Sequence, residues 1–178
     1  MSMFTRWLQI LKHRWLDRSD TLRAIPDDLA ERLEQRVAAS EARHTGEVRI
    51  CVEASLPLSY VWRGGADVPL AQRVRERALS WFGRLGVWDT EHNNGVLIYL
   101  LLAEHAIEIV ADRALTQRVD QAAWQAMVDR LGHRLHEGAF EEGLTEALEE
   151  VSALLVAHFP LQAGESRSNE LVNAVVRA

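Results

Sequence analysis

Residues Val96–Ala103 (VLIYLLLA) form an unbroken apolar run, set directly behind the polar turn Asp89–Gly95 (DTEHNNG). Eight consecutive apolar residues bounded by a turn suit a strand buried on both faces, as in the centre of a sheet covered by helices. A second strand-like run, Ala106–Ala111, follows across Glu104-His105 and stops at Asp112-Arg113. So short a connection makes the two runs an antiparallel hairpin. Residues just before the first run and just after the second then meet at one edge of the sheet.

The rest of the chain supplies the layers around that hairpin. Leu29, Leu33 and Val37 give a buried helical stripe from about Asp28 to His44, with Pro26 upstream and Gly46 placed as a left-handed cap. Glu47–Glu53 (EVRICVE) alternates as a strand, with Val48, Ile50 and Val52 on the apolar face. Ser55–Pro69 reads as loop, since Pro57, Gly64, Gly65 and Pro69 break regular structure. A helix over Leu70–Leu85 stops at Gly86. Its position between two strands makes a crossover unit, so strands 46–53 and 95–102 are expected to be parallel neighbours. Two further helices are expected at Gln121–His136 and Glu141–His158, with Pro160 ending the second. The expected fold is α/β: a mixed central sheet, parallel plus an antiparallel hairpin, with helices on both faces in an α/β/α sandwich. The expected division is an N-terminal amphipathic helix and polar linker over 1–24, a domain over 25–160, and a tail over 161–178 with a short helix at Asn169–Val176.

Composition excludes several classes. The chain has 178 residues, a formal net charge of −6 and 26% charged residues, which argues against a nucleic-acid binder. Its one cysteine, Cys51, lies in an apolar strand and admits neither an internal disulfide nor a multi-cysteine metal motif. No secretory leader and no apolar stretch of about 20 residues is evident, so a cytoplasmic location is expected. His133 and His136 share a helix face without a third ligand. There is no Gly-rich phosphate loop, GxSxG elbow or aspartyl-phosphate motif, and no nucleophile is identifiable.

Two segments look outward. Met3–Leu16 is amphipathic, with Phe4, Trp7, Leu8, Leu11 and Trp15 on one face and Arg6, Lys12 and Arg14 adding positive charge. It reads either as a helix docked on its own domain or a second protomer, or as an interfacial helix on an anionic membrane. Tyr60 and Trp62 sit among loop residues, as a partner-contact surface or as a loop folded back on the sheet. Trp81, Trp88 and Trp124 read as core or groove-lining residues.

The order helix, strand, helix, hairpin, two helices resembles the TPM domain family over roughly Ile25–Phe159. The carriers are Thr45-Gly46-Glu47-Val48-Arg49-Ile50, similar to the family's "TGxEI" strand, and Asn93-Asn94-Gly95-Val96-Leu97, similar to "DNGVL". Ile107-Glu108-Ile109 and the Gly138…Gly143-Leu144 spacing also match. The resemblance implies a calcium or magnesium site near the turn before the hairpin. It also implies either an interaction or assembly role at a membrane, or acid phosphatase activity. It further implies a short intracellular bacterial branch, often encoded beside a LemA-like protein, which makes a LemA-like membrane protein the expected partner. Two positions depart from the pattern: Asn93 stands where the family has an acid, and Asp112-Arg113 where many relatives have a Gly-rich turn.

Hard cations need several oxygen ligands. Asp89, Glu91 and Asp112 carry carboxylates, Asn93 and Asn94 amide oxygens, and the strand directions bring Glu47 to the same edge. Arg113 would bind an anion such as phosphate beside Asp112, or make local capping bonds. The alternative for Asn94-Gly95 is a tight turn that needs no ligand. Two functions are carried forward: an interaction or assembly module at the cytoplasmic membrane face with a LemA-like partner and a divalent-cation site, and a cation-dependent, acid phosphatase-like hydrolase of low activity. Whether the chain forms homo-oligomers is left open.

Overall fold

A computed structural model describes residues 18–63, 68–162 and 170–178, with side chains for all of these except Arg18 and residues 61–63. The amphipathic segment Met3–Leu16, with Trp7 and Trp15, lies outside the described residues, as does the Trp62 side chain.

The elements run α1 (Arg18–Ala24), α2 (Asp27–Glu41), β1 (Val48–Glu53), α3 (Leu58–Arg63), α4 (Leu70–Arg84), β2 (Val96–Leu101), a 3-10 turn (Leu102–Glu104), β3 (Ala106–Ala111), α5 (Arg113–Thr116), α6 (Gln121–His136), α7 (Phe140–His158) and β4 (Val176–Arg177). The sheet order is β3-β2-β1-β4. β1 and β2 are parallel, Val48 opposite Val96, and β2 and β3 are antiparallel, Val96 opposite Ala111. The mixed α/β fold expected from the apolar run and the crossover helix is therefore present.

Each sheet face has its own core. Val48, Ile50, Val52, Val96, Ile98, Leu100 and Ile109 pack against the apolar stripes of α2, α6 and α7. Cys51, Leu97, Tyr99, Leu101 and Val110 pack against Val74, Ala78 and Trp81 of α4. Every residue of β1 and β2 is buried, as a run without polar alternation requires when both faces are covered. The alternation in β1 thus does not mark a solvent face: Arg49, Cys51 and Glu53 are all buried, Cys51 packed with the α4 residues and Glu53 bonded to Arg77 of α4. Ion pairs clamp the helices over the first face. Arg32 grips Glu141 through Nε at 2.9 Å and Nη2 at 2.7 Å, joining α2 to α7, and Arg134 grips Glu146, joining α6 to α7.

Several local expectations are corrected. The segment read as linker before Pro26 contains helix α1, and the Ser55–Pro69 loop contains helix α3. Both are single short helices held by packing, below the length at which periodicity is readable. Gly46 is not a left-handed cap. Among the described glycines only Gly86 and Gly138 have positive φ. Gly46 is small because a Cβ there would meet Leu155 Cδ2 at 2.5 Å. Residues 170–175 are not helical. The segment ends in β4, parallel to β1, with Ala178 N donating to Val52 O at 2.9 Å and Ala54 N to Ala178 O at 2.8 Å. Between Asp112 and the helix expected from Gln121 lies the short helix α5. Trp81 and Trp124 are core residues, but Trp88 is 55% exposed, its Nε1 donating to Gly83 O at 3.3 Å.

Candidate functional site

Because β1 and β2 start, and β3 ends, at the same edge of the sheet, three chain segments meet there. Val96 N donates to Glu47 O at 2.8 Å, and Asp112 N donates to Gly95 O at 2.9 Å. Glu47, Gly95 and Asp112 therefore stand in one row across the strands. Gly95 is required in that row: a Cβ would lie 2.0 Å from Val87 O.

Asn94 is fully buried. Its Nδ2 donates to Thr45 Oγ1 at 3.0 Å and its backbone N–H to Thr90 Oγ1 at 3.1 Å. Its Oδ1 is buried without a hydrogen-bond partner among the described residues. Asp112 is 8% exposed and caps α5, its Oδ1 accepting from Arg113 N at 2.6 Å. Its Oδ2 is likewise buried without a hydrogen-bond partner there. Glu47 is fully buried, and its Oε1 accepts from Glu170 N at 3.1 Å. Asn93 takes the left-handed conformation with φ 51°, which Asn tolerates better than most residues. Its backbone oxygen accepts from Ala114 N and its Oδ1 from Arg113 Nη2, each at 3.1 Å. That contact leaves Arg113 Nε 4.0 Å from Asp112 Oδ1, with the guanidinium largely in solvent.

The sequence-derived set thus divides. Glu47, Asn93, Asn94, Asp112 and Arg113 come together at the edge. Asp89 and Glu91 are exposed on the turn, with Glu91 N donating to Glu170 Oε2 at 3.1 Å. Among the described residues no three His, Cys, Asp or Glu side chains converge in a metal-holding group. The oxygens of Glu47, Asn94 and Asp112 are of the kind a hard cation takes, and water would have to supply the rest of a shell. Burying carboxylate and amide oxygens without donors is costly, which a bound cation would relieve.

A second constellation escaped the sequence reading. At the other end of β1, Glu53 accepts from Arg77 Nε at 3.1 and 2.9 Å, from Trp81 Nε1 at 3.0 Å and from Tyr99 Oη at 2.7 Å. Arg77 lies 5.1 Å from the ring centres of both Tyr60 and Trp81. Burial and the neighbouring Glu53 charge push the Tyr99 hydroxyl pKa up. For Arg77, burial favours loss of the proton, but the hydrogen bonds and charge of Glu53 outweigh it and hold the guanidinium charged. The half-buried Tyr60, one of the residues read as a partner contact, is thus packed on its own domain through Arg77. The available signal was the Arg77–Trp81 spacing, which puts a cation on the buried stripe of α4.

A profile of the TPM domain matches residues 19–154. The chain belongs to the TPM domain family. Among solved structures, this TPM domain is similar to the NMR structure of the BA42 protein from the psychrophilic bacterium Bizionia argentinensis, with a TM-score of 0.69 and 21% identity, covering 86% of this chain and 95% of that one. At that identity the likeness establishes the fold. No curated protein sequence matches the chain. Within the TPM domain, the "TGxEI"-like and "DNGVL"-like segments supply Glu47 and Gly95 of the edge row, with Asn94 beside it.

Proposed function

We propose that this TPM domain is an interaction or assembly module whose edge row binds a divalent cation, calcium or magnesium. The observation that carries the cation reading is the pair of buried oxygens, Asn94 Oδ1 and Asp112 Oδ2, that lack hydrogen-bond donors among the described residues. A hard cation satisfies such oxygens where no donor does. Glu47 at the same edge is tied to Glu170, and Glu170 to Glu91. Cation binding would therefore fix the turn and the C-terminal segment together, presenting one ordered surface to a partner.

The side chains of the edge row support binding better than covalent chemistry. They are carboxylates, amides and one guanidinium. The chain's single cysteine is buried in β1, with burial pushing its thiol pKa up, and is unsuited to act as a nucleophile. The partner we propose is a protein at the cytoplasmic membrane face, of the LemA-like kind. The amphipathic Trp7–Trp15 segment, whose aromatic and basic residues suit an anionic surface, would supply peripheral contact. No helix among the described residues is long and apolar enough to cross a membrane.

The test is a two-dimensional amide NMR titration with calcium and magnesium. Saturable shifts at Asn94, Asp112 and Arg113, lost in Asp112→Asn, are expected. A flat titration at millimolar cation overturns the cation site. Aryl phosphate turnover that persists through purification and falls in Asp112→Asn would replace the module reading with the phosphatase one, for which the exposed Arg113 guanidinium beside Asp112 is the supporting feature. Co-sedimentation with anionic liposomes, lost in a Trp7→Ser/Trp15→Ser variant, tests the membrane contact.

A further inference from the structure

Among the described residues β3 is an edge strand, and its outer side opens into a groove. The hydrogen bond from Asp112 N to Gly95 O fixes which residues face which way. In an antiparallel pair the bonded positions alternate. With 112 bonded to 95, residues 110 and 108 are bonded to 97 and 99 in the observed register. Ile107, Ile109 and Ala111 therefore direct their N–H and C=O groups away from β2. The groove along them has a volume of about 440 Å³ and is walled by Ala71 and Arg75 of α4 and by Trp124 and Val128 of α6.

Two wall residues lean on this edge. Arg75 Nη1 donates to Ile109 O at 3.0 Å, an acceptor that an added strand would otherwise use, and also to Glu108 Oε2 at 3.0 Å. Its side chain is 45% exposed and lines the groove. Across the groove, Trp124 is 6% exposed, and its Nε1 is buried without a hydrogen-bond partner among the described residues. Edge strands with free main-chain groups are the usual template for strand addition.

We propose that the β3 groove takes an extended, carboxylate-bearing peptide segment of a partner protein, added as a fifth strand. Its main chain bonds to Ile107, Ile109 and Ala111, displacing Arg75 from Ile109 O. Charge complementarity sets the peptide's chemistry: among the described residues Arg75 is the one cation lining the groove and Glu108 the one acid, paired with each other, so an acid on the peptide takes up Arg75 as it leaves Ile109 O. Alternate side chains of the peptide face the two walls, an acid toward Arg75 and an apolar residue with an adjacent acceptor toward Trp124. The helices on both sides recess the edge, which favours a single inserted strand over a second copy of this domain, whose own walls would collide with these. The inference goes beyond the cation site and is tested in the presence of chelator, so either can fail alone.

The probe is a short acetylated peptide alternating valine and aspartate, titrated into the ¹⁵N-labelled protein. Shifts at Ile107, Ile109, Ala111 and the Trp124 indole N–H are expected, with slowed hydrogen exchange at those three amides. The same peptide N-methylated at alternate residues should bind roughly tenfold weaker or not at all, as loss of main-chain bonds requires. The valine–lysine counterpart and the Arg75→Ala protein should each weaken binding. Unchanged binding after N-methylation, or no shift along β3 at millimolar peptide, overturns the proposal. Protection of β3 that instead rises with protein concentration alone would overturn it in favour of pairing between copies.

Discussion

Tyr99 donates its hydroxyl hydrogen to Glu53 Oε2 across 2.7 Å, from the middle of β2 to the end of β1. Glu53 also holds Arg77, and both side chains are more than nine-tenths buried. Removing one side of a buried ion pair leaves an uncompensated charge, which is more damaging than losing the pair as a whole. Glu53→Gln is therefore expected to cost about 3–5 kcal/mol. Tyr99→Phe, which leaves Glu53 its other donors, should cost about 1–2 kcal/mol. Urea denaturation of the three proteins gives the ranking, and equal costs would contradict it.

The glycines separate by what surrounds them. Gly95→Ala would force a Cβ to 2.0 Å from Val87 O and should destabilise by at least about 1–3 kcal/mol, as overpacking does. In α4, a Cβ on Gly83 meets nothing within 4 Å, and in α6 one on Gly132 makes ordinary contact with Ile107 Cδ1 at 3.5 Å. Gly83→Ala and Gly132→Ala should each stabilise by roughly 0.5–1 kcal/mol by lowering backbone freedom in the unfolded chain. Melting curves of the three variants, moving in opposite directions, are the check.

Acid should loosen the helical layer in a defined window. Hydrogen bonds from Arg32 hold the Glu141 carboxyl below the ordinary range, and those from Arg134 do the same for Glu146. A carboxyl with a depressed folded-state pKa adds stability that is present above its unfolded value. That stability is lost as pH falls through the folded value. The melting temperature should be insensitive to these pairs above about pH 5 and fall below about pH 4. Arg32→Ala and Arg134→Ala should flatten that fall. Both carboxylates are solvent-accessible, so added salt should shrink the effect.

Asn93→Asp would restore an acid beside the edge row. Asn93 already holds the left-handed backbone that Asp also tolerates. Calcium affinity, read by the same amide titration, should rise roughly tenfold with the added carboxylate. Unchanged affinity would show that position 93 lies outside the coordination shell.

Cys51 offers a clean reporter of global opening. It is fully buried in β1, and only the exposed thiolate reacts quickly with disulfide reagents. Labelling of the native protein should be slow and should accelerate in parallel with unfolding as urea rises. Fast labelling without denaturant would mean that β1 opens locally.

The hairpin and the parallel β1/β2 pair were legible because their signals are local and long: an eight-residue apolar run, a short connection and a helix of crossover length. The edge that gathers Glu47, Asn94 and Asp112 followed from strand direction alone. What stayed hidden depends on distant partners. β4 is two residues long, and nothing in Val176-Arg177 distinguishes it from tail until β1 lies alongside. Glu53 reads in sequence as the polar side of an alternating strand, because the α4 layer that buries it carries its counter-ion 24 positions away. Asp89 and Glu91 are close to the edge in sequence, but the turn projects them into solvent.

Glu170 ties the C-terminal segment to this edge: its backbone N–H rests on Glu47 and its carboxylate holds the Glu91 amide. The last residues close a loop back to β1 from more than 120 positions away, and so short a strand is the kind of unit that detaches first in partial unfolding. Release of the C-terminal segment and occupancy of the edge row therefore share one contact. By thermodynamic reciprocity, a ligand that favours the docked clasp must be bound more tightly when the clasp is closed, by the same factor by which saturating ligand lowers the ratio of open to closed form.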